Sequence, residues 1–196
     1  MGAPRSGHER NLGEILSMLI HSAQHITYLG RHLKINSPSE FSNDSTILVL
    51  TKSIKIPFNI KEKTRITSEE IAKSAGLRKF LKLSEGTTVK VGSFEIRMAE
   101  IAEDKSAFNF FINSGLYFMT FVPEIYFPFP ENLTLLIQTD SDYFQEDDFG
   151  KVQAFISKSQ PAKTVISGNY SEKWFSALKS RKNIEIRNEI SQQSIF

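Results

Sequence analysis

Phe108-Asn-Phe-Phe-Ile112, Asn113-Ser114-Gly115, Leu116-Tyr-Phe-Met-Thr-Phe-Val122 is the clearest element of the chain. Two short runs rich in strand-forming aromatic and branched residues flank three residues of turn chemistry. Asn and Gly accept the positive φ that a tight turn needs, so the segment predicts a β-hairpin. Its strands are apolar at nearly every position rather than at every second one, the pattern of strands covered on both faces. Pro123, Pro128 and Pro130 follow, and proline cannot donate to a ladder, so the hairpin ends there.

On its N-terminal side, Thr46-Ile-Leu-Val-Leu50 reads as another doubly covered strand and Val89–Met98 as an alternating one. Between them, Thr67-Ser-Glu-Glu70 starts a helix whose apolar stripe is Ile71, Ala75, Leu77, Phe80 and Leu81. Nearer the start, Asn11 and Glu14 form a capping box for a helix with Leu12, Ile15, Leu16, Leu19, Ile20 and Ala23 on one face. His25–Leu29 reads as a short strand ending at Gly30, and the stretch 36–45 as a loop.

Beyond the hairpin, Leu133–Ile137 is a strand and Phe149, Val152, Phe155 and Ile156 mark a helix, with the acids of 142–148 at its start. Thr164–Ile166 is a strand, Ser171 caps a helix carrying Trp174, Phe175 and Leu178, and Ile184–Ile186 is the last strand. Strands alternating with helices predict an α/β fold: a mixed sheet with a central aromatic β-hairpin and helices packed on it. With 196 residues, one domain over 11–190 is expected, between a disordered N-terminus at 1–10 and a frayed tail at 191–196.

Composition excludes several classes. Hydrophobic residues at 40% and charged residues at 23% describe neither a disordered polymer nor a membrane protein. The absence of cysteine removes disulfides, thiolate zinc sites and cysteine nucleophiles. The first ten residues carry no apolar run of the export type, so a cytoplasmic location is expected. Net charge is +2, yet residues 51–90 hold ten Lys or Arg against four Glu, and residues 131–150 hold six acids and no base. The basic stretch makes Lys61, Lys63, Arg65, Arg78, Lys79 and Lys82 the candidate nucleic-acid-binding residues.

Within it, Thr67–Lys82 resembles a helix-turn-helix: Glu-Ile-Ala, then Ala-Gly-Leu at the turn, then a basic second helix. A single amphipathic helix explains the same apolar residues. His21 and His25, four apart, share a helix face in this reading and sit at its end, where a cationic imidazole complements the carbonyl dipole. His32-Leu33-Lys34 begins like the His-x-Lys-x4-Asp motif of the phospholipase D superfamily, but the position of the Asp is Ser39, with Glu40 one place late. The glycine-rich phosphate loop, the Gly-x-Ser-x-Gly elbow and the dinucleotide fingerprint do not occur. No catalytic residue, metal ligand or cofactor is therefore assigned.

In its order of elements, from the leading helix through Glu69-Glu70-Ile71, Glu95-Ile96-Arg97, the hairpin 108–122 and the helix at 145–158, the chain resembles the non-catalytic phospholipase D-like domain of archaeal TrmB-type transcription regulators. That resemblance implies an effector-binding or dimerising regulatory domain whose catalytic residues are lost. The expected partners are nucleic acid or another protein, with homodimerisation, and no membrane. The alternatives are a nucleic-acid-binding protein using the basic face of 52–90 and a degenerate phosphodiesterase or nuclease.

Overall fold

The computed structural model describes residues 18–38, 46–56, 63–124, 126–140, 142–181 and 183–187. The fold is mixed α/β, as the alternation of elements predicts, but the strands form two sheets rather than one. Sheet I holds β1 (Leu19–Ser22), β2 (His25–Tyr28), β3 (Arg31–Ile35), β4 (Thr46–Val49), β5 (Thr64–Thr67) and β6 (Leu81–Lys82) in that order. Sheet II runs β13 (Ile184–Ile186), β12 (Lys163–Ser167), β11 (Thr134–Gln138), β10 (Leu116–Met119), β9 (Phe108–Ile112), β8 (Phe94–Ile101) and β7 (Thr88–Val91). Each sheet is antiparallel at one end and parallel at the other: β3 to β6 are parallel in sheet I, and β10 to β13 in sheet II.

The two sheets pack face to face. Leu33, Ile47, Val49 and Ile66 of sheet I share one buried cluster with Phe94, Ile96, Met98, Phe110, Phe118 and Val165 of sheet II. The opposite face of sheet II, with Tyr117, Met119, Leu135, Ile137 and Ile166, lies under α2 (Phe149–Ser159) and α3 (Ser171–Leu178) through Val152, Phe155, Trp174 and Leu178. This explains the uninterrupted apolar character of the aromatic hairpin: alternate residues face another sheet on one side and helices on the other. Each fully buried Phe contributes on the order of 1.5–3 kcal/mol of transfer free energy. The sequence reading placed the rings beneath helices; half of them instead face a second sheet.

The hairpin turns where predicted, between Ile112 and Leu116. Its positive φ values fall on Asn113 (48°) and Ser114 (57°), not on Gly115. Asn113 accepts this conformation because its side chain is used: Oδ1 accepts from the Glu95 amide at 2.6 Å and Nδ2 donates to the Ser93 carbonyl at 3.0 Å. These bonds tie the tip to the neighbouring β7–β8 hairpin.

Several expectations are corrected. Leu19–Ser22 is a strand, not the end of a helix, and residues 11–17 of the predicted first helix lie outside the described residues. His21 and His25 therefore sit on two antiparallel strands joined by a tight turn, and their rings stack at 4.5 Å between centroids. The single strand expected over 89–98 is two, because Gly92 takes φ +59° and reverses the chain; a Cβ there would stand 2.5 Å from the Arg31 Nε. The helix-turn-helix is absent. α1 (Glu69–Ser74), capped by Ser68 through its hydroxyl to the Ile71 amide, ends as Gly76 enters the left-handed region, and the chain continues into β6. Among the described residues, no helix is long and apolar enough to cross a membrane.

Candidate functional site

The parallel strands of both sheets end on the same side of the molecule. In open α/β sheets the crevice outside the carboxyl ends of parallel strands is where ligands bind. Here it is built from Thr51 and Lys52 after β4, Thr120–Glu124 after β10, Thr139 and Asp140 after β11, and Gly168–Tyr170 after β12.

The polar groups of this crevice are tied to one another across the two sheets. Asn36, at φ 52°, donates through Nδ2 to Thr51 Oγ1 at 2.7 Å and accepts the Thr51 amide on Oδ1 at 2.8 Å. Thr120 Oγ1 reaches Thr51 Oγ1 at 3.1 Å, which links sheet II to sheet I through buried hydroxyls. Lys52 Nζ, on a side chain only 16% exposed, donates to the Asp140 carbonyl at 3.0 Å and lies 4.0 Å from the Asp142 carboxylate. The Asp140 carboxylate accepts the Asn169 amide on one oxygen at 2.6 Å and the Gln138 side-chain amide on the other, also at 2.6 Å. Thr139 donates from its hydroxyl to the Ser167 carbonyl at 2.9 Å and accepts the Tyr170 amide at 3.0 Å. Gly168, at φ +100°, passes so close that a Cβ would meet Thr139 Oγ1 at 2.7 Å.

Beside this crevice opens a cleft of about 900 Å³ lined by Glu100–Asp104, Phe121, Val122, Glu124 and Tyr143. Among the described residues, four carboxylates and no Lys or Arg face it, so its potential favours cations. Tyr143 donates to both carboxylate oxygens of Asp104, at 3.2 and 3.1 Å. Burial first, and then that carboxylate, pushes the Tyr143 hydroxyl up to about 12. Burial is also the main cause that raises the Glu100 carboxyl, with Glu124 and Glu85 adding to it and the Glu124 amide acting in the opposite direction.

The basic residues named from the sequence do not meet at this crevice. Lys61 lies outside the described residues. Lys63 is exposed just before β5; Arg65, on β5, is half-buried, and its Nε finds no hydrogen-bond partner among the described residues. Arg78 and Lys79 are exposed in the turn before β6, and Lys82 is paired with Glu69. Register places Arg65 opposite Leu48, which faces Lys34, which in turn faces His25, so one row of sheet I runs His25, Lys34, Leu48, Arg65. His32 Nδ1 lies 3.2 Å from His25 Nε2 and 3.1 Å from Thr27 Oγ1, and His21 Nε2 lies 2.9 Å from that same hydroxyl. His32 and Lys34, the start of the incomplete His-x-Lys-x4-Asp motif, thus lie on the same face of sheet I as His25. Among the described residues, no three His, Asp or Glu side chains are grouped to hold a metal ion.

Sequence reasoning passed over Lys52, Thr51, Thr120 and Asp140 as site residues. The available signal was the position of Thr51-Lys52, polar residues directly after an apolar run that reads as a covered strand.

No protein-family profile matches the chain, and neither does any curated protein. Solved structures do match in fold. A CmlA β-hydroxylase variant superposes with a TM-score of 0.50 at 11% identity, covering 76% of this chain and 45% of that one. A diphosphatase of the PhnP family superposes with a TM-score of 0.50 at 9% identity, covering 72% of this chain and 70% of that one. This chain thus spans under half the length of the hydroxylase, and at these identities the likeness is one of fold.

Proposed function

We propose that this chain is a regulatory or effector-binding domain, built on a fold also used by enzymes, whose strand-end crevice serves recognition rather than bond breaking. The observation that carries this reading is the Lys52 ammonium, donated to the Asp140 carbonyl across the two sheets beside the Asp142 carboxylate. A lysine so engaged neutralises the crevice from within and braces its walls, and the Asp140 carboxylate beside it is occupied by two donors. The adjoining cleft, with Glu100, Glu103, Asp104 and Glu124 around Phe121 and Tyr143, supports a cationic ligand or a basic segment of a partner protein.

The competing reading is phosphate-ester hydrolysis, favoured by the fold shared with a diphosphatase. One assay separates the two. The full chain is incubated with bis(p-nitrophenyl) phosphate and p-nitrophenyl phosphate, with Mn²⁺, Zn²⁺ or Mg²⁺, beside the Asp140→Ala variant. The regulatory reading expects the same background release from both proteins. Metal-dependent turnover by the wild type that falls at least tenfold in Asp140→Ala overturns it.

Nucleic-acid binding is the second non-catalytic reading, and one observation favours it: Lys34 and Arg65 share a face of sheet I. Affinity for a short duplex that falls steeply with salt, and weakens in Arg65→Gln, supports it; a flat salt response ends it.

A further inference from the structure

Helices α2 and α3 cover the β10–β13 part of sheet II, and toward β8 and β9 its outer face is bordered by the extended segment that carries Phe127 and Pro130. The outer face of β8 and β9, the turn at Glu85 and Gly86 and that segment enclose a cleft of about 530 Å³, within the size range of small-molecule sites. Its apolar walls are Ala99, Phe111, Phe127 and Pro130, and among the described residues its charged groups are one cation, Arg97, and one anion, Glu85.

Arg97 stands opposite Phe111 in the β8–β9 ladder, and its guanidinium carbon lies 4.7 Å over the Phe111 ring. Stacking on an aromatic face orients a guanidinium while leaving the N–H donors at its edge free to point outward in plane. No carboxylate among the described residues pairs with Arg97 within 4.0 Å. Phe111 is itself braced by Tyr117 at 4.8 Å and Phe127 at 6.2 Å between centroids. The planar fork is therefore aimed by a rigid aromatic wall, the arrangement that suits bidentate capture of a carboxylate. Glu85 lines the same cleft from the turn before β7, where it can meet an ammonium group.

We propose that this cleft binds a small zwitterion with an apolar body, the chemistry of an apolar α-amino acid: its carboxylate on the Arg97 fork, its ammonium toward Glu85, and its side chain against Phe111, Phe127 and Pro130. The site shares no lining residue with the strand-end cleft and does not depend on the regulatory reading of that cleft.

Isothermal titration of the full chain with L-phenylalanine and L-leucine, and with 3-phenylpropionate and 2-phenylethylamine as the two single-charge controls, tests this. At least one amino acid is expected to bind at least tenfold more tightly than either control. Arg97→Gln, and Arg97→Lys, which keeps the charge but loses the fork, are expected to weaken the amino acid at least tenfold and to leave 2-phenylethylamine unchanged. Glu85→Gln is expected to weaken the amino acid while leaving 3-phenylpropionate unchanged. Absence of binding by both amino acids to the folded wild type overturns the proposal. So does equal affinity for zwitterion and controls, or amino-acid binding indifferent to Arg97→Gln in a variant whose circular dichroism matches the wild type. Variants Lys52→Ala and Asp140→Ala are expected to bind as the wild type does, which separates this site from the strand-end crevice.

Discussion

Lys52 Nζ donates to the Asp140 carbonyl at 3.0 Å, joining the end of a sheet I strand to the end of a sheet II strand 88 positions later in the chain. With Thr120 to Thr51, and with the Phe108 amide donated to the Thr51 carbonyl at 3.0 Å, this bond adds directional pairing at one end of an interface whose buried area is mostly apolar. Lys52→Met keeps most of the side chain's apolar volume and removes the ammonium. Chemical denaturation is expected to show a loss of about 1–2 kcal/mol, the usual worth of a hydrogen bond to a charged donor in a partly exposed setting. An unchanged midpoint would show that the Lys52 ammonium adds nothing to the hold between the two strand ends.

Gly168 is the tightest point of the same crevice. Its φ of +100° is a region that side-chain-bearing residues rarely adopt, and a Cβ would sit 2.7 Å from Thr139 Oγ1 and 2.8 Å from the Asp140 amide. Gly168→Ala must therefore shift backbone at the end of β11, and a loss of about 2–3 kcal/mol is expected from combined strain and clash. Gly86, at φ +71° with nothing within 4 Å of its would-be Cβ, provides the control. Gly86→Ala carries only the conformational cost, about 1 kcal/mol.

The histidine cluster predicts a pH dependence with a defined sign. Burial, and then the nearby His21, Lys34 and His32, lower the His25 imidazole to about 4 from its ordinary 6.5. A lowered imidazole binds its proton more readily in the unfolded chain. Its stabilising contribution is therefore complete above pH 6.5 and is lost as pH falls from 6.5 towards 4. His25 is less than half buried, so solvent screening reduces the effect to about 1 kcal/mol. The difference in unfolding free energy between wild type and His25→Gln, measured from pH 7.5 to 4, is expected to shrink across that window. A constant difference would show that the cluster does not perturb His25.

Tyr117 is fully buried, and among the described residues its hydroxyl has no hydrogen-bond partner, although it lies near the Asn109 side chain. Burial, and then the Glu100 carboxylate, raise that hydroxyl far above its ordinary value, so it stays neutral. Tyr117→Phe keeps the ring contacts with Phe111, Phe129 and Phe155 and removes an unsatisfied polar atom. The expected outcome is unchanged stability or a gain of up to about 1 kcal/mol by thermal melting. A loss above that would reveal a hydrogen bond to Asn109.

Local chemistry determined much of the fold. Val165 and Ile166, Leu135–Ile137, Phe108–Ile112 and Leu116–Met119 read as strands from their own apolar runs, and helices 149–159 and 171–178 read from their stripes, because each pattern is set by residues a few positions apart. Leu19–Ser22 misread for the same reason. Leu19, Ile20 and Ala23 satisfy helical spacing, and only pairing with His25–Thr27 makes Leu19–Ser22 a strand and leaves Ala23 in the turn after it. Likewise, Leu77, Phe80 and Leu81 continue a helical stripe, but Leu81 and Lys82 pair with Ile66 and Thr67, and backbone pairing with β5 outweighs propensity.

The number of sheets and the place of the sites were decided only in three dimensions. An apolar strand looks the same whether a helix or another sheet covers it, so Phe110 and Phe118 could announce burial but not their partners Leu33 and Val49. Lys52 and Asp140, or Arg97 and Phe127, carry no shared spacing that marks them as neighbours. They meet because parallel strands of two sheets end together and because a proline-bearing segment folds back beside β8 and β9. Pattern along the chain names the residues that leave water, and topology sets what they pack against, since burial follows from composition and spacing whereas juxtaposition follows from strand order.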